Sequence, residues 1–141
     1  MKDRNVRRLS TLHKVLYRAT GGLIGRRLVD NDMLLLTTVG RRTGQGHTVP
    51  LLYLEDGIMT VVIASYGGRD RHPAWYLNLV VQPAVRVRKR GEVFAAIART
   101  ADVNERAEWW PRIIDAYSGY SAYQRRTNRE IPVVILEPVK G

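Results

Sequence analysis

The apolar positions along the chain follow two periods. Residues 33–39 (MLLLTTV) form a continuous apolar and β-branched run, which predicts a buried strand. Residues 58–65 (IMTVVIAS) and 131–138 (IPVVILEP) read the same way, and 58–65 is the strongest strand in the sequence. Residues 84–90 (AVRVRKR) instead alternate apolar and basic, so one face is buried and the other meets water or an anion. After a turn at Arg90-Gly91-Glu92, residues 93–100 (VFAAIART) return as a strand. Residues 47–54 (HTVPLLYL) are also extended, and Pro50 marks an edge strand or a bulge.

Three segments carry the helical period. Leu9, Leu12, Val15, Leu16 and Ala19 share one side of a helix that Gly21-Gly22 ends. Pro73 suits the first turn of a helix over residues 74–81, with Pro83 beyond its end. Asp102 and Glu105 have capping-box spacing, and Trp109, Trp110, Ile113, Ile114 and Tyr117 follow on one face. Pro111 should kink that helix, Ser118-Gly119 interrupts it, and residues 120–127 add a turn or two. Between these elements lie two glycine-rich basic loops, GRRTGQG (40–46) and SYGGRDRHP (65–73), and a turn at Glu55-Asp56-Gly57. Six strands joined mostly by hairpins, without long crossovers, predict an α+β fold: a mainly antiparallel small barrel flanked by helices.

Charge divides the chain. Of 141 residues, 23 are basic and 13 acidic, a net charge of +10. Residues 1–27 hold eight of the basic residues and a single acid, Asp3. The sequence therefore reads as a basic helical arm over 1–29 and a nearly neutral domain over 30–141. The arm's apolar stripe suits packing on its own domain or docking on an anionic membrane surface. Nucleic acid is not an expected partner, because Tyr17 is the arm's one aromatic residue. There is no apolar run of ~20 residues and no signal-peptide core, so a cytoplasmic location is the expectation, with peripheral attachment to the inner face of the plasma membrane as the alternative to an arm packed on its own domain.

The chemistry is narrowed mainly by what is missing. The chain has no cysteine, which excludes disulfides, thiolate metal sites and cysteine nucleophiles. His13, His47 and His72 have no ligand-like spacing, so no metal is expected. Neither G-x-S-x-G nor a phosphate loop occurs. What remains is an anion site: Arg41, Arg42 and the second glycine loop offer guanidiniums and backbone N–H groups, unless both loops are simply solvated. Tyr117, Tyr120 and Tyr123 recur at three-residue spacing, which suits either a wall for a flat conjugated molecule or ordinary packing.

LLLTTVGRRTGQ (34–45), VPLLYL (49–54), IASYGG (63–68), HPAWYLNL (72–79), ERAEWWP (105–111), YSGYSAYQ (117–124) and IPVVILEP (131–138) occur in one order. Together they resemble the deazaflavin (coenzyme F420)-dependent nitroreductases, split β-barrel proteins of the flavin-mononucleotide-binding type. The resemblance implies a reductase that passes a hydride from reduced F420 to an electron-poor conjugated acceptor: a quinone, a conjugated lactone or a nitro compound. Flavin mononucleotide is the alternative cofactor, and a non-catalytic carrier of deazaflavin, flavin or a lipid-like ligand is the alternative function. Homodimerisation is a further implication.

Residue by residue, Arg41, Arg42, Thr43 and Gly44 match the family's tail-binding loop, and His47, Thr48, Val49 and Pro50 the strand beside it. Ala64, Ser65 and Tyr66 match residues near the deazaflavin ring, and Ala74, Trp75, Tyr76 and Asn78 the helix closing over the cofactor. Tyr120, given the catalytic role, matches a tyrosine shared by cofactor and acceptor, while Tyr117 and Tyr123 match acceptor-side tyrosines. There are two departures. Tyr66 replaces a lysine of the family's A-S-K-G-G motif, leaving Arg69 or Arg71 to supply that charge. Leu52, on the acceptor side, replaces a tyrosine of the nitroimidazole-activating member, which argues against nitroimidazoles and leaves quinones and lactones.

Overall fold

The computed structural model describes residues 33–139. The basic arm, with His13 and its apolar stripe, lies outside the described residues. Seven strands form one antiparallel sheet: β1 (Met33–Val39), β2 (Gly46–Leu52), β3 (Leu54–Asp56), β4 (Met59–Ile63), β5 (Ala84–Lys89), β6 (Glu92–Thr100) and β7 (Val133–Pro138). Their order across the sheet is β2-β1-β5-β6-β7-β4-β3. Three α-helices flank it: α1 (Ala74–Val81), α2 (Val103–Ala116) and α3 (Gly119–Arg125).

The sequence predicts six strands; the seventh arises at Tyr53. Residues 47–54 read as one strand, but β2 pairs with β1 while β3 pairs with β4, at the opposite edge. The chain therefore bends at Tyr53 and joins the two sheet edges covalently, which curls the sheet into a half-barrel. Tyr53 itself is buried in the barrel core. Pro50 lies opposite Leu35 on the edge strand β2, where a missing N–H costs no ladder bond.

Two cores explain the patterns in the sequence. The barrel interior collects Leu34 and Leu36 of β1, Val85 and Val87 of β5, Ala96 and Ala98 of β6, and Trp75 and Leu79 of α1. A second cluster on the other side of β4 and β7 holds Val61, Ile63, Val133 and Ile135 against Trp109, Ile113 and Tyr120. β4 and β7 are thus apolar on both faces, whereas β5 alternates because its second face is open.

Local signals hold as well. Asp102 caps α2 by accepting from Glu105 N at 2.8 Å, and Glu105 Oε1 accepts from Asp102 N at 3.0 Å. The same carboxylate takes both Nη groups of Arg99 at 2.7 and 2.8 Å, while Arg99 Nε reaches Glu137. α2 continues through Pro111, and Tyr117 ends it before Ser118-Gly119 opens α3.

Hydrogen bonds from Arg99, then from the Asp102 backbone, hold the Glu105 carboxyl down to about 2. The stabilisation is complete above the ordinary value of 4.5 and disappears as pH falls toward about 2. Glu105→Gln should therefore lower the melting temperature at pH 7, and melting curves should show the difference from wild type shrinking as pH falls below 4.5.

Candidate functional site

The loop from β1 to β2 is tied to α1 by a single amide. Asn78, buried on α1, accepts at Oδ1 from Arg41 N at 3.2 Å and from Arg41 Nη1 at 2.8 Å. Its Nδ2 donates to Thr38 Oγ1 at 3.2 Å, so both ends of the amide are satisfied. Gly40 N donates to Gln45 O at 2.7 Å and closes the loop. A Cβ on Gly40 would come within 2.8 Å of His47 Nε2, so any larger residue there would push the His47 ring aside.

A cleft of about 820 Å³ opens between this loop, β2, the N-terminal part of α1 and the open face of β1 and β5. Arg41, Arg42, Arg86, Arg88 and His47 line it, and no carboxylate does. Arg86 and Arg88 flank β1, opposite Thr37 and Leu35. Thr37 in turn shares a 2.8 Å hydrogen bond with Thr48 of β2. Elsewhere Lys89, Arg90, Arg99, Arg106 and Arg112 each pair with an acid. None of the four cleft arginines pairs with one among the described residues. Such a cleft suits a ligand carrying several negative charges.

The second glycine loop lies where β4 ends. Tyr66, Gly67 and Gly68 have φ of 49°, 64° and 81° in succession. Gly68 is buried, and a Cβ there would meet the Tyr123 carbonyl at 2.6 Å, so glycine alone lets the loop touch α3. Arg69 stacks on the Tyr66 ring at 4.6 Å and donates to its hydroxyl at 3.2 Å. A cation therefore sits beside the tyrosine that replaces the motif lysine.

The three tyrosines do meet. Tyr117 and Tyr123 stand edge-on to Tyr120, with ring centroids 6.2 and 5.8 Å away. Tyr117 donates to the Tyr53 carbonyl at 3.3 Å. Tyr120 is only 8% exposed, and no described residue hydrogen-bonds its hydroxyl. Burial above all, then its two tyrosine neighbours, pushes this phenol well above the usual range, so it stays protonated and able to donate.

The structure gathers nine of the residues singled out from sequence around the cleft: Arg41, Arg42, Thr43, His47, Thr48, Val49, Ala74, Trp75 and Asn78. Gly44, Pro50, Leu52, Ala64, Ser65, Tyr66, Tyr76 and the tyrosine trio lie outside its lining. Tyr76 instead shares a 2.7 Å hydrogen bond with Thr100. Arg86 and Arg88 are cleft residues that the sequence does not single out. Their signal is the apolar–basic alternation of 84–90, which marks an open face but not what lies beside it. The cleft guanidiniums, none of them ion-paired among the described residues, suit a polyanionic cofactor, whereas the buried Tyr120 phenol belongs to the second core cluster and not to that lining.

Residues 9–138 match the F420H(2)-dependent quinone reductase family. An F420H(2)-dependent quinone reductase of Mycobacterium tuberculosis is 37% identical over 132 residues, covering 91% of this chain and 89% of the relative. Among solved structures, an F420-H2 dependent reductase superposes with a TM-score of 0.70 at 37% identity, covering 75% of this chain and 94% of the other. A chain described as a domain-swapped dimer superposes at 0.72 with 35% identity, covering 89% and 92%.

Gly68→Ala tests the packing of loop against helix. The left-handed backbone and the 2.6 Å approach to Tyr123 should together cost about 1–3 kcal/mol in chemical denaturation. Gly67→Ala, with nothing near its Cβ, should cost less.

Proposed function

The chain belongs to the F420H(2)-dependent quinone reductase family, and from that premise we propose that it reduces an electron-poor conjugated acceptor, a quinone or conjugated lactone, at the expense of reduced F420. The observation that carries the reading is the cleft beside α1, lined by four arginines and no carboxylate. When bound, the reduced deazaflavin supplies a hydride; the chain itself supplies binding, orientation and exclusion of water.

Arg41 and Arg42 hold the negatively charged tail, with Thr43, Gly44 and His47 to Pro50 framing it. Asn78 orients Arg41 before the ligand arrives, through the two bonds at its Oδ1. Ala64, Ser65 and Tyr66, beyond the cleft's own lining, would lie near the ring, and Ala74, Trp75 and Tyr76 would hold it from α1. Tyr117, Tyr120, Tyr123 and Leu52 form the acceptor side. The Tyr120 hydroxyl, protonated and lacking a described partner, donates a hydrogen bond to the acceptor oxygen as negative charge develops there. The kinship with a domain-swapped dimer supports association of two copies of this chain.

Binding titrations should show tighter affinity for F420 than for flavin mononucleotide, since the longer tail carries more charge into the cleft. Replacing Arg41 and Arg42 by alanine should weaken F420 binding by about 1–3 kcal/mol for each charge-assisted hydrogen bond removed. The weakening should shrink as salt rises. Equal or tighter binding of flavin mononucleotide would sink the cofactor assignment.

Mixing reduced F420 with a quinone or a conjugated lactone should restore the oxidised cofactor's absorbance faster than the uncatalysed reaction. Binding without such acceleration would favour a carrier. Tyr120→Phe should lower kcat by the equivalent of about 1–3 kcal/mol with cofactor affinity nearly unchanged. Tyr120→Ala should raise the acceptor's KM as well.

A further inference from the structure

Arg129 lies outside every motif that carries the family resemblance, yet it organises the loop that follows β4. Strand pairing sets Ile63 opposite Val133, and Ala64 N donates to Pro132 O at 3.0 Å. The residues just beyond, 64–72 and 129–131, are therefore neighbours. Arg129 Nη2 donates to Ser65 O at 2.6 Å, Nη1 to Ala64 O at 3.2 Å, and Nε to Arg69 O at 2.7 Å. Nη1 also lies 2.9 Å from His72 Nδ1.

A guanidinium has donors only. His72 Nδ1 must therefore be the bare, accepting nitrogen, and the imidazole proton sits on Nε2. That N–H has no partner among the described residues. His72 is not itself part of the cleft lining, but it immediately precedes Pro73 and α1, whose Ala74 and Trp75 are. The ring is also fixed from α1 by Tyr76, 4.8 Å away, which carries no charge.

We propose that Arg129 is the positioning residue of this site, and that through it His72 presents Nε2–H as a fixed donor to a carbonyl or anionic oxygen of the bound ligand. One planar group sets three loop carbonyls and one imidazole together, so the Ser65 loop and the start of α1 hold a single relative placement. The four acceptors match a fork of donors; a lysine ammonium, a point charge with three donors, matches them less well. The identity of the ligand rests on the F420 reading, whereas the positioning role does not.

The inference has a pH signature. Burial first, and the Arg129 charge second, hold His72 below its ordinary value of 6.5. Asp70, on the same loop, acts on Arg129 in the opposite sense and partly offsets its charge. Because the folded state disfavours the protonated ring, this contribution to stability is present above 6.5 and lost as pH falls through the lower folded value.

Nitrogen-15 NMR of the full chain without ligand, between about pH 5 and 8, should show His72 with its proton on Nε2 and a midpoint below 6.5. Arg129→Met should raise that midpoint and speed amide exchange at residues 65–69 by roughly tenfold. Arg129→Lys should recover part of both and serves where Arg129→Met fails to fold. In F420 titrations, His72→Ala should weaken binding by roughly tenfold, as expected for removal of one hydrogen bond. A proton on Nδ1, or an unchanged midpoint and exchange in the arginine variants, would overturn the positioning role. Unchanged F420 affinity in His72→Ala would overturn the donor role. Absence of F420 binding by the wild-type chain, with the NMR results intact, would overturn the cofactor reading and the donor assignment built on it, and leave Arg129 in place.

Discussion

β4 and β7 present valine, isoleucine and leucine on both faces of the sheet, so each face must be covered. The half-barrel interior covers one face, with Val62, Val134 and Leu136 packed toward Trp75 and Leu79. α2 and α3 cover the other, through Trp109, Ile113 and Tyr120. Much else follows from that double burial. α3 must lie close to the loop leaving β4, which is why Gly68 has no room for a side chain. The residues leading into β7 must lie beside those leaving β4, which brings Arg129 to the carbonyls of Ala64 and Ser65. Tyr120 is buried because it belongs to this cover, and a phenol kept there is held in its protonated form.

The cleft owes its character to a partition of charge. Five of the described acids pair with one set of bases: Glu55 with Lys89 and Arg90, Glu105 and Glu137 with Arg99, Asp56 with Arg112, Glu130 with Arg106. Arg41, Arg42, Arg86 and Arg88 are left facing one cavity. Arg41 is held by a neutral amide rather than a carboxylate, so its charge remains available to a ligand. α1 connects this cleft to the loop after β4. Ala74 and Trp75 line the one, and His72, one residue before the Pro73 cap, is bonded into the other.

Much of the fold was legible because its signals are local. Helix 74–81, the Asp102–Glu105 cap, the edge-strand proline and the glycine loops each depend on neighbours in sequence, and each stands as read. The split at Tyr53 was hidden, since a bend between two extended segments leaves the apolar pattern unbroken. Arg86 and Arg88 could be placed on an open strand face, but not beside the loop of Arg41, because that neighbour is set by the pairing of β1 with both β2 and β5. Arg129 gave no signal at all. A half-buried arginine in a connecting segment is ordinary until its four acceptors are seen to converge.

The sequence by itself determined the described elements apart from the split at Tyr53, the antiparallel class, the excess of positive charge and, through ordered motifs, the family. These are properties of composition, period and spacing. Tertiary structure alone decided which arginines share a cavity, which tyrosine of the three is buried, and which guanidinium holds the loop after β4. Each of those depends on the distance between residues tens of positions apart, and that distance is set by strand order and by the covering of β4 and β7 on both faces.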